Sequence, residues 1–245
     1  MASIRDALGV QSYCFRNFKT NADVARLVRE LDLSAIELCA VHVDFDQPAS
    51  HDDVIKTYRD AGIDIVAIGV ETFDTDQDRA RRRFDFAQKA GARCISANFK
   101  PESWQAAAEI VANLADDYAI RAAVHNHGGY HWLGNWQMLN HFFNSTPPGI
   151  GLCLDTAWCL DAGENPVKLA QVFRDRLYGL HIKDFVFGPD GKGEDVIVGT
   201  GNLDLPGLIH TAEAAGFDGY AVLEYEADPD NPVPALKQCV AQVRK

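Results

Sequence analysis

The chain has 245 residues, 47% of them hydrophobic, and a formal net charge of -12 at pH 7. This length and apolar content suffice for one large domain, and single α/β barrels commonly reach about 250 residues. The acidic balance argues against a nucleic acid or an anionic membrane as a partner, because both require a broad basic surface.

Short runs of strand character recur about every 30 residues, which is the spacing of βαβ units. Several of them, such as residues 65–70, are almost entirely apolar, as is typical of parallel strands covered by helices on both faces. The predicted strands are residues 9–15, 35–41, 64–70, 94–99, 120–127, 150–155, 178–183 and 220–225.

Amphipathic helical stretches separate these strands, and ordinary start and stop signals flank them. Asn21 is predicted to cap the first helix, and the helix that starts near Asp76 is predicted to end at Gly91. Asp204 opens a later helix that Gly216 closes. The strict alternation of eight strands and eight helices predicts a closed (β/α)8 TIM barrel.

The barrel is expected to be a single domain that covers residues 1–245, because no linker or low-complexity segment interrupts the series. A doubly wound open sheet is the alternative architecture. No GxGxxG motif follows the first strand to support it.

Polar residues end four consecutive predicted strands, at the edge of the barrel where enzymes of this architecture carry their active sites. Because side chains alternate along a strand, His125, Asp155, His181 and Glu224 can all point toward the barrel mouth. Two imidazoles and two carboxylates form a ligand set that suits Mn, Co, Zn or Fe. The sequence therefore predicts a site for one divalent metal ion.

Each of these residues also has a structural explanation when it is taken alone. His125 could be a hydrogen-bonded core histidine, Asp155 could cap the following helix, and Glu224 could pair with a surface lysine. Four apolar strands that all end in an inward-facing polar residue are harder to explain separately. The metal site is therefore the favoured interpretation.

Several segments resemble the xylose isomerase-like barrels that are known as sugar phosphate isomerases/epimerases. The family includes D-tagatose 3-epimerase, hydroxypyruvate isomerase and inosose dehydratase. The resemblance spans the whole chain and is strongest from residue 119 onward. It rests on residues 151–156 (GLCLDT), 179–184 (GLHIKD), 198–204 (VGTGNLD), 215–220 (AGFDGY) and 222–226 (VLEYE).

The resemblance implies a divalent metal, such as Mn, Co, Mg, Zn or Fe, held by Glu, Asp, His and Glu from the last four strands. The last three positions correspond to Asp155, His181 and Glu224, whereas His125 stands where the epimerases have their first glutamate. Those epimerases use both glutamates as opposed bases, so two-base epimerisation is in doubt here. The resemblance also implies a homo-oligomer, either a dimer or a tetramer.

The expected chemistry is proton abstraction next to the carbonyl of a small sugar or keto-sugar, with a metal-stabilised enediolate. Glu224 would be the base, and His127 or Lys183 would return a proton or protonate a leaving group. Return of the proton to carbon gives an isomerase or epimerase, which is the favoured outcome. Loss of the adjacent oxygen gives a lyase or dehydratase that acts on a keto-sugar or keto-inositol.

Two hypotheses from other classes remain open. A DNA-repair enzyme similar to endonuclease IV shares the fold, but it needs additional metal ligands and a basic groove. A barrel that binds sugar without catalysis is the other, and its binding would not depend on metal.

Candidate substrate contacts lie in the loops that follow the strands. Glu37 ends the second strand, and Trp158 could stack on a sugar ring or simply pack beneath its loop. His131 and Trp132 belong to a short loop over the expected mouth, where His131 could serve as an additional ligand or proton donor. Outside the glycine-rich loop at residues 188–201 no phosphate cradle stands out, which favours an unphosphorylated substrate.

The six cysteines are scattered and form no CxxC pair, which predicts buried free thiols in a reducing compartment. No apolar run approaches the roughly 20 residues of a membrane span. Residues 1–10 lack the pattern of a signal peptide. A cytoplasmic location is therefore expected.

Overall fold

A computed structural model describes residues 3–245 and contains a closed barrel of eight parallel strands. Seven strands pair in chain order, and the last barrel strand closes the ring between the seventh and the first. The barrel strands are β1 (Gly9–Gln11), β2 (Ala35–Leu38), β3 (Asp64–Phe73), β4 (Cys94–Phe99), β5 (Arg121–His125), β6 (Ile150–Asp155), β7 (Leu177–Ile182) and β10 (Tyr220–Leu223). The predicted (β/α)8 barrel is confirmed, and the open sheet is excluded.

Helices connect successive strands around the outside of the barrel. They are α1 (Asn21–Glu30), α2 (His51–Asp60), α3 (Gln77–Ala90), α4 (Trp104–Tyr118), α5 (Trp136–Asn144), α6 (Thr156–Asp161), α7 (Pro166–Val172), α8 (Leu205–Ala214) and α9 (Val233–Val243). The sixth connection contains two helices, α6 and α7, where the sequence predicted one. The residues after Asp161 include Gly163 at a positive φ of 75°, which ends α6 early and lets the chain restart at Pro166.

The connection after β7 contains a feature that the sequence did not predict. Residues 184–196 form an antiparallel hairpin of β8 (Asp184–Phe187) and β9 (Gly193–Val196) beside the barrel mouth. The Asp184 carboxylate accepts hydrogen bonds of 2.9 Å from the backbone N–H groups of Gly199, Gly201 and Leu203. The Asp184 carboxylate thus holds the end of the glycine-rich loop, where the sequence resembles the family.

Five barrel strands, β1, β2, β5, β7 and β10, end earlier than predicted. After Gln11 the chain turns into a 3-10 helix, because the Gln11 side chain accepts a hydrogen bond from the backbone N–H of Tyr13. The fifth strand ends at His125 and the last one at Leu223. Each of these ends runs directly into a loop at the barrel mouth.

Helix caps follow the sequence signals with one correction. Asp76 caps α3, and Gly91 ends it in the left-handed conformation, while Asp204 caps α8. The first helix is capped by Thr20, whose hydroxyl accepts from the N–H of Asp23 at 3.1 Å. Asn21 instead uses its amide oxygen to accept a hydrogen bond from the Tyr58 hydroxyl at 2.8 Å.

Side-chain alternation divides the buried residues into two cores. Large aliphatic residues point outward from the strands and pack against the helices. The barrel interior below the mouth is filled by small residues, Ala67, Cys94, Ala123 and Cys153, together with Val222 and the ring of Tyr220. All six cysteines are buried and unpaired, as the sequence predicted. Among the described residues, no helix has the length and apolarity needed to cross a membrane.

Candidate metal centre

Four polar side chains meet at the C-terminal mouth of the barrel. His125 ends β5, Asp155 ends β6, His181 is the penultimate residue of β7, and Glu224 directly follows β10. All four are buried, and one potential ligand atom from each lies within 4.8 Å of the others. The His125 Nε2 atom lies 3.1 Å from His181 Nδ1, 3.5 Å from Asp155 Oδ2 and 3.8 Å from Glu224 Oε2.

The Asp155 carboxylate divides its two oxygens between two roles. Oδ1 accepts a hydrogen bond of 2.8 Å from the backbone N–H of Trp158 and caps α6. Oδ2 points toward His125, is fully buried, and has no hydrogen-bond partner within the described residues. A buried carboxylate oxygen without a partner is costly, and a bound cation would supply the missing interaction.

The four residues therefore fit a divalent metal ion by composition and by position. Two imidazole nitrogens and two carboxylate oxygens are compatible with Mn, Co, Zn or Fe. They come from four neighbouring strands, so the rigid barrel wall holds them in place. The cap role of Asp155 and its ligand role do not compete, because different oxygens perform them.

Asn126 holds the ends of β5 and β6 together. Its amide oxygen accepts a hydrogen bond of 2.8 Å from the backbone N–H of Asp155, and its Nδ2 donates to the Asp155 carbonyl at 3.0 Å. This pair fixes His125 and Asp155 relative to each other. Strand alternation puts Asn126 on the opposite face from its neighbouring histidines, and the sequence alone indicates no role for it.

The charges inside the cluster balance one another. Burial alone would lower the pKa of His181, but neighbouring groups that include the carboxylates of Glu37 and Glu224 outweigh it and raise that pKa well above its ordinary value. Burial would raise the pKa of Glu224, but His181 and His125 hold it well below its ordinary value. The Glu224 carboxylate therefore stays ionised, as a base or a metal ligand must.

Glu37 occupies a different position from the one expected for a substrate contact. It is fully buried beneath the cluster, with Oε2 at 2.6 Å from His181 Nε2. The Ser96 hydroxyl donates a hydrogen bond to its other oxygen. Because Glu37 does not line the cavity at the mouth, the expected direct contact with substrate is not supported.

A cavity of about 530 Å³ opens above the cluster, within the usual size range of small-molecule sites. Its lining includes His125, His127, Glu224 and Glu226, together with the aromatic ring of Trp158. The rest of the lining comes from the end of β1, the residues after β2 and the middle of β3. The predicted working face and the position of Trp158 agree with this cavity.

His127 lines this cavity, whereas Lys183 is buried behind Glu226 and Trp158, which do line it. Burial and the neighbouring His125 and His131 lower the pKa of His127 to about 3, so its imidazole is neutral near pH 7. The Lys183 ammonium contacts the Glu226 carboxylate, lies 3.5 Å from Asp195 Oδ2, and sits 5.2 Å from the centre of the Trp158 ring. Burial raises the pKa of Asp195 to about 7, although the charge of Lys183 opposes the shift.

The loop after β5 is less involved than its sequence suggested. Trp132 is turned away from the cavity, since its indole N–H donates to the Phe99 carbonyl at 3.0 Å and its ring packs on Trp104 and Phe142. This correction follows from the aromatic cluster that α4 and α5 offer beside the loop. His131 lies with its ring 4.9 Å from that of His127, behind it rather than in the metal cluster.

Comparison with curated proteins finds inosose dehydratases and a rhizopine catabolism protein among the relatives. Inosose dehydratase of Lacticaseibacillus casei is 22% identical over 155 residues, which cover 56% of this chain and 52% of the relative. A rhizopine catabolism protein of Rhizobium meliloti is 24% identical over 150 residues, covering 54% and 46% respectively. The chain thus spans about half the length of these curated relatives.

Solved structures with the same architecture cover nearly the whole chain. A sugar phosphate isomerase/epimerase from Parabacteroides distasonis aligns with a TM-score of 0.75 at 17% identity over 97% of this chain and 93% of its own. A protein described as a probable 3-DHS dehydratase from Bacillus anthracis aligns with a TM-score of 0.75 at 15% identity over 97% and 98%. At these identities the similarity establishes the fold.

The family comparison covers most of the chain. The sequence pattern of the family described as xylose isomerase-like TIM barrel matches residues 25–244, which include the whole ligand cluster. The relatives found by the other comparisons include inosose dehydratases, a sugar phosphate isomerase/epimerase and a probable 3-DHS dehydratase. With its closed barrel and its strand-end cluster, this chain belongs to the xylose isomerase-like TIM barrel family.

Proposed function

We propose that this protein is a divalent-metal-dependent lyase that removes water, or another oxygen leaving group, from an uncharged polyhydroxylated ketone. The reaction would take a proton from the carbon next to the ketone and release the oxygen on the following carbon. A keto-inositol or a keto-sugar is the class of substrate that this reaction requires.

One observation carries the proposal. Of the described residues, Glu224 is the one carboxylate that both belongs to the ligand cluster and lines the cavity. Epimerisation by two opposed bases would need a second, whereas His125 occupies that position. Elimination needs one base for the carbon-bound proton and one acid for the leaving oxygen. Glu224 and Lys183, which contacts the cavity-lining Glu226, could fill these roles.

The metal would be held by His125, Asp155, His181 and Glu224. When bound there, a divalent cation acts as a Lewis acid on the ketone and makes the neighbouring C–H more acidic. The unpartnered Asp155 Oδ2 and the mixed nitrogen and oxygen donors support this assignment.

The side chains around the cavity would then divide the proton transfers. Glu224 accepts the proton from carbon, and the electrons of that C–H bond form a carbon–carbon double bond as the C–O bond breaks. The Lys183 ammonium, held beside Glu226 and Trp158, supplies the proton that converts the leaving oxygen to water. Exchange with solvent then restores both groups.

The charge of the cavity argues for a neutral substrate. Two carboxylates line it, Glu224 and Glu226, and the nearest ammonium, Lys183, is already paired with Glu226 and Asp195. The backbone N–H groups of Gly199 and Gly201, which could have cradled a phosphate, bind the Asp184 carboxylate instead. A phosphate or carboxylate on the substrate would therefore find neither a free Lys183 ammonium nor these two loop N–H groups.

Isomerisation is the second candidate, and the position of His127 favours it. His127 lines the same cavity beside His125, so it could return a proton to carbon and give an isomeric ketone. A sugar phosphate isomerase/epimerase shares the fold, and inosose dehydratases share sequence. The two outcomes differ only in where the second proton goes.

The first experiment follows the product in D2O. The protein would be stripped with a chelator, reloaded separately with Mn, Co, Mg, Zn or Fe, and incubated with a keto-inositol or a 3-keto-glycoside. We expect metal-dependent loss of the β-oxygen, seen by NMR and by enone absorbance. An isomeric ketone that contains deuterium would contradict the lyase and support the isomerase. Sugar binding without metal and without exchange would indicate a non-catalytic barrel.

Substitution of Lys183 separates the two proton transfers. Lys183→Met should slow elimination by about 10²–10⁴-fold, the usual contribution of a general acid, while solvent deuterium still enters the α-carbon. Glu224→Gln should abolish both exchange and elimination. Equal loss of exchange and elimination in Lys183→Met would contradict the assigned role. Glu226→Gln serves as the control for loss of the Lys183 partner.

A further inference from the structure

Glu37 makes a buried contact with the metal cluster from the far side of the barrel. It extends from β2, whereas His181 belongs to β7, and both side chains are fully buried. The Glu37 Oε2 atom lies 2.6 Å from His181 Nε2, the nitrogen that points away from the cluster. The opposite nitrogen of the same ring, Nδ1, lies 2.7 Å from Glu224 Oε2 and 3.1 Å from His125 Nε2.

In such an imidazole, one nitrogen can hydrogen-bond to the carboxylate of Glu37 while the other binds a metal ion. A carboxylate oxygen accepts hydrogen bonds, so its contact requires a hydrogen on His181 Nε2. Nδ1 also faces a carboxylate, that of Glu224. When a metal ion displaces the proton from Nδ1, which faces the other three candidate ligands, the lone pair of the neutral ring resides on that nitrogen. A hydrogen bond to the remote nitrogen thus determines which nitrogen can bind a metal.

We propose that Glu37 is a positioning residue that holds His181 in its Nε2–H form and aims Nδ1 at the metal. This inference rests on the metal site of the proposed function, but it does not depend on the reaction that follows. Glu37 touches neither the cavity nor the other three ligands, so it acts only through His181.

Ser96 holds Glu37 in place. Its hydroxyl donates to Glu37 Oε1, and its Oγ also lies 3.3 Å from the Ile68 carbonyl. The adjacent Gly69 has a φ of +134°, and a Cβ there would come within 2.2 Å of Ser96 Oγ. Glu37 on β2 thus contacts His181 on β7, Ser96 on β4 holds Glu37, and Gly69 on β3 leaves room for the Ser96 hydroxyl.

The test compares metal binding in two matched glutamate variants. Glu37→Gln should lower the affinity for Zn²⁺ by about 10–100-fold, the typical effect of losing an outer partner of a metal-bound histidine. Glu71→Gln is the control, because Glu71 is also buried and hydrogen-bonded, to Arg83, but is not part of the cluster. Isothermal titration of the chelator-stripped proteins measures both affinities.

A structural readout separates positioning from simple destabilisation. Long-range ¹H–¹⁵N NMR of the Zn²⁺-loaded wild type should show His181 with a proton on Nε2 and metal on Nδ1. The Co²⁺ absorption spectrum should change in Glu37→Gln and stay unchanged in Glu71→Gln. Metal on His181 Nε2, or wild-type Zn²⁺ affinity in Glu37→Gln, would overturn the proposal.

Ser96→Ala provides a milder second variant in case Glu37→Gln does not fold. It removes one hydroxyl and should weaken Zn²⁺ binding in the same direction by a smaller factor. If Glu37→Gln cannot be studied, unchanged Zn²⁺ affinity in Ser96→Ala would contradict the positioning role of Glu37. Tight, Glu37-dependent Zn²⁺ binding without lyase activity would overturn the proposed reaction and support this inference.

Discussion

Asp155 shows how one side chain can serve both the fold and the site. One oxygen caps α6 through the N–H of Trp158, and the other is buried without a hydrogen-bond partner inside the described part of the chain. Removing the whole carboxylate should therefore have two separable effects. The cap contributes to stability whether or not metal is present, while the unpartnered oxygen is costly without the cation and would bind it when it is present.

We expect Asp155→Asn to retain the cap and lose most of the metal affinity. Asp155→Ala should lose both and destabilise the metal-free protein by about 1 kcal/mol, as removal of a helix cap usually does. In the wild type, metal at 100 times its dissociation constant should add about 2.7 kcal/mol to the free energy of unfolding.

Urea unfolding of the three proteins with and without Zn²⁺ measures these effects. The metal-dependent increment should be present in the wild type and nearly absent in both variants. A full increment in Asp155→Asn would show that Asp155 is not a ligand.

Individual residues also show how much of the site could be predicted from the sequence. His125, Asp155, His181 and Glu224 could be found because each stands where an apolar strand ends, and barrels expose those ends on one face. Glu37 also ends a strand, but its partner His181 is 144 positions away. Strand pattern alone does not distinguish a side chain that faces the cavity from one that lies beneath its neighbours.

At the scale of elements, the hairpin of β8 and β9 connects the fold to the site. It begins at Asp184, whose carboxylate accepts three backbone hydrogen bonds from the glycine-rich loop. Its second strand places Asp195 beside Lys183. Anchoring of the loop therefore supports the position of the proposed proton donor.

Substitution of Asp184 tests this connection. Asp184→Ala would leave three backbone N–H groups without their charged acceptor, so we expect a loss of about 2–4 kcal/mol in the free energy of unfolding. The amides of Gly199, Gly201 and Leu203 should exchange faster with solvent. Asp190→Ala, in the exposed hairpin turn, is the control.

Urea unfolding and amide hydrogen exchange by mass spectrometry provide the measurements. Unchanged protection of the three amides in Asp184→Ala would mean that the loop is held by other contacts.

Element boundaries show where local sequence signals stop being sufficient. The helix signals at Asp76, Gly91 and Asp204 act through their own backbone neighbours, and the structure confirms them. The hairpin after β7 depends instead on Asp184 reaching loop amides 15 to 19 positions away. Trp132 turned from the mouth because α4 and α5 offered an aromatic pocket, which no local pattern in its loop indicates.

At the scale of the whole molecule, the site depends on pairing between barrel strands that are far apart in the sequence. The ligands come from β5, β6, β7 and the residue after β10, and β10 closes the ring by pairing with β1. The regular alternation of strands and helices was sufficient to predict this architecture. The positions of individual atoms in the cluster depend on strand register, which becomes fixed only when the sheet closes.

The dependence of global stability on pH should reflect a histidine buried away from the site. His42 lies in the loop after β2, with Nε2 3.0 Å from the Phe18 carbonyl and Nδ1 buried without a hydrogen-bond partner among the described residues. Burial lowers the pKa of His42, and the nearby charge of Lys19 acts in the same direction. The folded chain therefore binds a proton at His42 more weakly than the unfolded chain does.

The sign of the effect follows from this difference. An unfolded histidine has a pKa of about 6.5, so the stability that neutral His42 contributes is complete above that pH. It is lost as the pH falls from there toward the lower pKa of the folded state, by at most about 1.4 kcal/mol per pH unit for one proton.

His42→Gln keeps an N–H donor for the Phe18 carbonyl but cannot take up the proton. We expect it to cost about 1 kcal/mol at pH 7.5 and to give a shallower decline in unfolding free energy between pH 6.5 and 5 than the wild type. Urea unfolding of the metal-free proteins across this range tests the difference, with His210→Gln on the exposed face of α8 as the control. If the unfolding free energy declines equally in the wild type and His42→Gln, another group controls the loss of stability at low pH.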